Sequence, residues 1–384
     1  MDGDRRLESD SERPLVFSRR RFLAAAAASG AAAAIASLPG VAAAAQAVPD
    51  GTPVPEGRTL EYWIQADTIT WNVAPNGRDD LDGGAYASDQ ASFQTAGYRA
   101  YSPNWAEPLP GDASIGENLG IPGPVIRGRV GDTILIHFKN NDTRTRLATH
   151  SINARGLRPD AASDGFWHGS QPSLPGTAVL PGENYTYRYT VPASAAGAWL
   201  YHDYASPRRE RRRGGPGGPG AGPNLSLPVY TRANPSEAED LSVPVGADRG
   251  LIGMIVIEDA DTKPVDHEHV IIFHDLYSAE VTSLAQDFDC INGRSFIGNT
   301  PTFHAKVGDR VRWRVGTLGR ENHVFHIHGH RWLAQGAYTD THLLGPGTTV
   351  TVEYTEDSPG TWLYHCHFTE HMMGGMVGQY VVTA

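Results

Sequence analysis

Residues 197–204 read GAWLYHDY and residues 360–367 read GTWLYHCH, with five of eight positions identical. The match is one block of a longer internal repeat. Upstream, Pro181-Gly182 followed by the alternating YTYRYT parallels Pro346-Gly347 followed by VTVEYT. Further upstream, Val130-Gly131-Asp132 before TILIHFKN parallels Val307-Gly308-Asp309 before RVRWRV. Downstream, GLIGMIVI at 250–257 parallels GMVGQYVV at 375–382. Within each unit the apolar runs are short, alternating and rich in β-branched or aromatic residues, with Pro-Gly and Gly-Asp turns between them. That pattern predicts antiparallel strands in a sandwich. The chain is therefore expected to be all-β, with two domains over 58–260 and 266–384. An insertion at about 206–249, opening with PRRERRR and continuing as a Gly/Pro run, interrupts the first and reads as a solvated loop.

Strand parity carries the chemistry. Successive residues of a strand point to opposite faces. In Tyr364-His365-Cys366-His367, His365 and His367 share one face and Cys366 takes the other. In His323-Val324-Phe325-His326-Ile327-His328, His326 and His328 share a face and His323 lies opposite. Two such strands make two sites on opposite sides of a sheet edge. One receives His323 and Cys366, completed by His371 and Met376; the other receives four imidazoles. Two imidazoles, a thiolate and a weak thioether are the preference of an electron-transfer copper, whereas zinc favours four comparable ligands. Only two cysteines are present. A disulfide is the default for such a pair, but the surroundings of Cys366 assign it to a metal and leave Cys290 a buried free thiol.

Composition narrows the rest. At 384 residues with 40% hydrophobic content, the chain suits two domains of ordinary size. Its 43 Gly and 27 Pro favour turns and strands over long helices. A net charge of −11 gives no basis for nucleic-acid binding. Ser18-Arg19-Arg20-Arg21-Phe22-Leu23, then an Ala-rich stretch ending Ala45-Gln46-Ala47, reads as a twin-arginine export signal over 1–47. Its core is too weakly apolar for a stable membrane anchor. The expected location is periplasmic, cell-surface or extracellular.

The motifs HVFHIHGHRW at 323–332, LYHCHFTEHMMGGM at 363–376 and PGPVIRGRVGDTILIHFKN at 122–140 resemble those of two-domain multicopper oxidases of the small-laccase type. The resemblance implies two cupredoxin-like Greek-key β-sandwich domains and a type 1 copper at His323, Cys366, His371 and Met376. It also implies a homotrimer, in which eight histidines at the seam between subunits hold a trinuclear copper cluster that reduces dioxygen.

This sequence departs from that pattern in its first domain. Through the repeat, His323, His326 and His328 align with His150, Asn153 and Arg155, and Met376 aligns with Leu251. His365, Cys366 and His367 align with His202, Asp203 and Tyr204. Five of the eight cluster histidines remain: His202, His326, His328, His365 and His367. Five imidazoles do not hold three ions in the usual way, and the fixed charge of Arg155 opposes a nearby cation. The expected cofactor is copper, as a type 1 ion with one or two more. Copper nitrite reductases offer a second template, with a mononuclear centre matched by position to His328, His365 and His202.

Three functions follow as alternatives. The leading one is a laccase-like oxidoreductase that takes single electrons from a small-molecule or protein donor. Electrons then pass from Cys366 through His365 or His367 to an altered centre, and on to dioxygen or another small acceptor. The others are a nitrite-reductase-like enzyme and a copper-binding electron-transfer protein without terminal catalysis.

Overall fold

The segment TILIHFKNN at Thr133–Asn141 shows why the chain folds as sheet. Ile134, Ile136 and Phe138 are fully buried, while Thr133, Leu135 and His137 between them stay half-buried. A period of two against one apolar layer is the signature of a strand with one covered face. The computed structural model describes residues 57–116, 120–144, 148–166, 176, 179–205 and 246–384. The expected export signal, and the insertion up to residue 245, lie outside the described residues.

The first sandwich pairs two sheets. One contains β1 (Thr59–Asn72), β2 (Ser92–Tyr101), β4 (Thr133–Asn141), β6 (Arg158–Pro159) and β7 (Asn184–Thr190) in the order β2-β1-β4-β7-β6. Its mate is β3-β9-β8-β5, from β3 (Ile126–Arg129), β5 (Asn153–Ala154), β8 (Gly197–His202) and β9 (Ile252–Glu258). The second sandwich repeats the plan. Its inner sheet runs β11-β10-β13-β18, from β10 (His267–Leu276), β11 (Phe288–Ile291), β13 (Arg310–Thr317) and β18 (Thr349–Thr355). Its outer sheet runs β12-β20-β19-β14-β17, from β12 (Thr302–Lys306), β14 (His323–Ile327), β17 (Thr341–Leu344), β19 (Gly360–Cys366) and β20 (Val377–Thr383). A small hairpin of β15 (Trp332–Ala334) and β16 (Ala337–Thr339) stands beside it. The only described α-helix is Thr369–Met373, and no described helix is long and apolar enough to cross a membrane.

The expectation of wholly antiparallel strands needs correction. β1 with β4 and β3 with β9 run parallel, and so do their counterparts β10 with β13 and β12 with β20. Parallel neighbours cannot be joined by a tight hairpin, so each chain segment crosses to the opposite sheet before returning. The same two parallel pairings in each half show the internal repeat as topology.

Each sandwich has its own core, around Phe138 and Tyr187 in the first and Trp313 and Phe325 in the second. The facing sheets of the two sandwiches also pack together. Leu200, Ile252, Met254 and Val256 meet Val270 and Ile272. A charge cluster crosses the same boundary. Glu268 on β10 receives Arg314 Nε at 3.1 Å and Arg312 Nη1 at 3.5 Å, and Arg127 from β3 reaches its other oxygen. Arg312 and Arg314 are only 2% and 3% exposed, so their charges need a local anion. Arg127 is half-exposed, and its arm adds little. Glu268→Ala leaves Arg314 without a carboxylate and is expected to lower the unfolding free energy by about 3–5 kcal/mol in denaturant titration. A loss below ~1 kcal/mol, the range of surface pairs, would mean that the buried guanidinium groups find solvent.

Candidate metal centres

β14 and β19 build the site between them. Their register places Phe325 opposite Cys366 and His326 opposite His365. His323 and Cys366 therefore enter the sandwich core at 0% exposure, while His326 and His365 emerge on the other face. The parity expected from sequence is what the strands adopt. The sheet edge is not: β14 and β19 are interior strands, with β17 covering β14. Thr341–Leu344 lies outside the repeat blocks, so nothing in the repeat announced this extra strand.

The core-facing group is His323, Cys366 and His371, whose ligand atoms all lie within 4.8 Å of one another. His371 Nδ1 is 3.2 Å from His323 Nδ1 and 3.5 Å from Cys366 Sγ. A trigonal ion with bonds of about 2.0–2.3 Å holds its ligand atoms roughly 3.5–3.8 Å apart, so a slight opening admits one metal. Met376 is fully buried beside them. Its carbonyl accepts from the Cys366 N–H at 3.1 Å and its own N–H donates to the His371 carbonyl at 2.9 Å. The backbone thus ties the thioether residue to two of the other ligands.

Burial pushes the Cys366 thiol up, but contacts with His323 and His371 and the Val324 N–H, 3.3 Å from Sγ, pull it down to about 6. A thiolate is the form a soft metal requires. Both imidazoles also have carboxylates behind them, a feature the sequence reading missed. His371 Nε2 lies 3.0 Å from Glu321 Oε2. His323 Nε2 lies 3.3 Å from Asp275 Oδ1, close enough for charge attraction but without hydrogen-bond alignment. Such partners fix ring orientation and raise ligand basicity. No sequence motif pointed to Asp275, which sits on a strand remote in sequence.

The opposite face carries a second group, His326, His328 and His365, again with ligand atoms within 4.8 Å. His328 Nε2 and His365 Nε2 stand 3.1 Å apart, the spacing of two nitrogens sharing one ion with bonds of ~2.0 Å. The Nδ1 atoms of His365 and His326 are held by the fold. His365 Nδ1 is 2.8 Å from the Cys366 carbonyl and His326 Nδ1 is 2.8 Å from the Asp340 carbonyl. His330, unassigned from sequence, donates from Nδ1 to the His328 carbonyl at 2.7 Å and packs against the buried Glu356. His367 joins the face, its ring 5.0 Å from that of His326 and 5.7 Å from that of His365. Burial pushes His365 down to about 4, which keeps the imidazole neutral and able to ligate.

The first domain is different. Asn153 pairs with His202 across β5 and β8, the same register as His326 with His365. His202 is 1% exposed and pushed down to about 4 by burial, with the charge of Arg155 adding to the effect. Its ring lies 4.7 Å from that of the half-exposed Tyr204, the two planes tilted by 51°. Asn153 donates its amide to the Asp164 carbonyl at 2.7 Å, which uses it to hold a loop. The Arg155 guanidinium lies over Gly347. Among the described residues, His202 shares no metal-sized group with the four histidines of the second domain. Within the described residues, His326, His328 and His365 form a three-imidazole set.

At the position equivalent to the core-facing site, His150 and Asp203 meet directly. His150 Nδ1 is 2.8 Å from Asp203 Oδ2 and its Nε2 is 2.9 Å from Asp142 Oδ2. Both ring nitrogens are used, so no lone pair is left for an ion. Cys290, as expected, is a buried free thiol.

Comparison with known proteins agrees with this geometry. Two sequence profiles of the multicopper oxidase family match residues 103–219 and 274–384, together more than half of the chain. A probable nitrite reductase-hydroxylamine oxidoreductase fusion protein of Kuenenia stuttgartiensis is 28% identical over 291 residues, covering 72% of this chain and 29% of its own length. Human ceruloplasmin is 27% identical over 358 residues, covering 84% of this chain and 30% of its own. The chain thus spans about three tenths of the length of these relatives. Among solved structures, a multicopper oxidase aligns with TM-score 0.56 and 22% identity over 85% of this chain and 89% of its own. A copper nitrite reductase from Nitrosomonas europaea aligns with TM-score 0.53 and 17% identity over 85% and 94%. The ligand groups, the paired sandwiches and the two matching profiles lead to one conclusion: the chain belongs to the multicopper oxidase family.

Proposed function

We propose that the protein takes single electrons at His323, Cys366, His371 and Met376 and delivers them to a reduced centre at His326, His328, His365 and His367, with dioxygen as the acceptor. The observation that carries this reading is the back-to-back placement of the two groups on β14 and β19. Cys366 and His365 are chain neighbours on opposite faces, so one peptide unit links the two sites. Bound copper supplies one-electron transfer at the first group and a place to reduce a small acceptor at the second. The residues do the rest. The core buries Cys366 from water, His371 lines an open cavity of about 440 Å³ where a donor meets the site, and His328 and His367 of the second face stay exposed enough to reach an acceptor.

The second face extends to the protein surface, where His328 and His367 are exposed, and the same domain also exposes the apolar side chains of Leu333, Tyr338 and Leu343. That exposure supports a homotrimer in which a neighbour covers this face and brings its His202 to it. Export by the twin-arginine route, from residues 1–47, completes the proposal.

A second reading is favoured by the three-imidazole set within one chain: a mononuclear centre acting on nitrite. Copper content separates the cases. We expect about two coppers per chain in fully loaded, export-processed protein. A value near four would overturn the reduced centre and restore the full trinuclear arrangement. Sustained oxygen uptake with a phenolic donor supports the oxidase; donor-dependent loss of nitrite without oxygen uptake replaces it with the second reading.

A further inference from the structure

The cavity over His371 is lined by Arg320, Glu321, Asn322, Phe368, Glu370 and His371. Two carboxylates border it, but only one touches the ligand. Glu321 Oε2 lies 3.0 Å from His371 Nε2, and Glu321 Oε1 accepts from the Tyr277 hydroxyl at 2.9 Å. The Arg320 guanidinium sits 5.3 Å from the centre of the Tyr277 ring and is itself engaged with Glu280 and Asp248. The chain His371–Glu321–Tyr277 therefore runs from the core-facing group to the surface, and each link is within hydrogen-bond length. It joins three segments: the short helix with His371, the turn before β14, and the end of β10.

We infer that Glu321 is a positioning residue of the electron-entry site, holding the His371 ring with Nδ1 turned inward and setting the reduction potential of the metal bound there. The inference rests on the assignment of His371 as a ligand under Proposed function. An imidazole has two nitrogens, and the partner of one fixes what the other can do. With Glu321 accepting from Nε2–H, Nδ1 carries the lone pair. A carboxylate acceptor makes the ring more electron-rich than water or an amide does. An electron-rich ligand favours the oxidised metal over the reduced one, which lowers the potential. Glu321 is half-exposed, with 48% of its side chain accessible, so changing it does not disturb the core. The anion also covers the His371 edge, so a donor approaching through the cavity meets the Glu321–His371 pair.

Asp275 stands behind His323 in the buried half of the site, but without an aligned hydrogen bond. The asymmetry makes Glu321 the residue to test. Glu370 is the control, because it lines the same cavity and its carboxylate makes no described hydrogen bond to the His371 ring.

The experiment is a potentiometric titration of the copper-loaded protein at fixed pH and ionic strength, following the thiolate-to-copper absorption band. Glu321→Gln is expected to raise the midpoint potential and shift the band. Glu370→Gln, which removes the same charge from the same cavity, is expected to move it much less. Glu321→Asp keeps the charge on a shorter arm and is expected to fall between wild type and Glu321→Gln. A Glu321→Gln protein that folds but no longer retains this copper, while Glu370→Gln does, also supports the positioning role. Equal shifts in Glu321→Gln and Glu370→Gln would show that only general charge matters and overturn the inference, as would no shift in either. Absence of any thiolate band in the wild-type protein is a separate failure, that of the ligand assignment itself.

Discussion

Replacing Cys366 by Ser is expected to remove the intense visible band of the loaded protein, release about one copper per chain, and drop donor oxidation to background. The side chain is fully buried in the second core, where its sulfur faces His371 Nδ1 at 3.5 Å and the Val324 N–H at 3.3 Å. A thiolate at this position supplies the anion that lets two imidazoles share one soft ion. A serine hydroxyl stays protonated at neutral pH and is a hard donor. His323 and His371 then face each other at 3.2 Å with no anion between them. The fold survives the change, because a hydroxyl replacing a buried sulfur costs about 1–3 kcal/mol when unsatisfied. The opposite face is untouched, since His326 and His365 are oriented by backbone carbonyls and not by the sulfur, and His328 stands against His365. Metal content and absorption should therefore separate: one copper lost with the colour, the other retained. A variant that keeps both the band and its copper would sink the assignment of Cys366.

The contrast between the two faces shows which parts of the site sequence can reveal. Alternation is local, so His323 with Cys366, and His326 with His365, could be sorted from the order of letters alone. The repeat also exposed the substitutions at Asn153, Arg155 and Tyr204, because the second domain served as a template for the first. What stayed hidden depends on contacts between distant segments. Glu321 and His371 are 50 residues apart, and the sequence reading never singled out Asp275 or His330. The use of Asn153 to bind the Asp164 carbonyl, and of Arg155 to cover Gly347, depends on loop packing that no periodicity reports. The parallel strand pairs escaped for a related reason. Alternation identifies a strand but not its neighbour, and β1 finds β4 only after the chain has crossed the sandwich.

Asp203→Ala is expected to destabilise the first domain by about 3–5 kcal/mol while leaving both ligand groups of the second domain able to load copper. The carboxylate stands where the repeat has Cys366, and His150 stands where it has His323. Here the two are joined without a metal: Asp203 Oδ2 meets His150 Nδ1 at 2.8 Å, and Asp203 Oδ1 accepts from the Ser151 and Ala205 N–H groups at 3.0 and 2.8 Å. His150 is 1% exposed and Asp142, on its other side, 0%. Removing Asp203 leaves a buried imidazolium with one partner and two buried N–H groups with none, which is why the loss is large. The pH dependence has a definite sign. Burial opposes charge on His150, but Asp203 and Asp142 outweigh it and raise its pKa. Stability from that shift is fully present below the unfolded-state value of about 6.5 and fades as pH rises through the higher folded value. Burial likewise opposes ionisation of Asp142, yet His150 and Arg144 hold its carboxyl far below the usual range. Its contribution is full above an unfolded-state value of about 3.9 and fades as pH falls toward the depressed folded value. The cluster is thus most stabilising between about pH 4 and 6.5, and His150→Gln should reduce the loss of stability as pH rises above that window. Thermal unfolding of copper-free protein from below that window to above it measures both effects. A wild-type profile already flat, with Asp203→Ala costing under ~1 kcal/mol, would mean that the first domain is held by its aromatic core and not by the ion cluster that occupies the metal position.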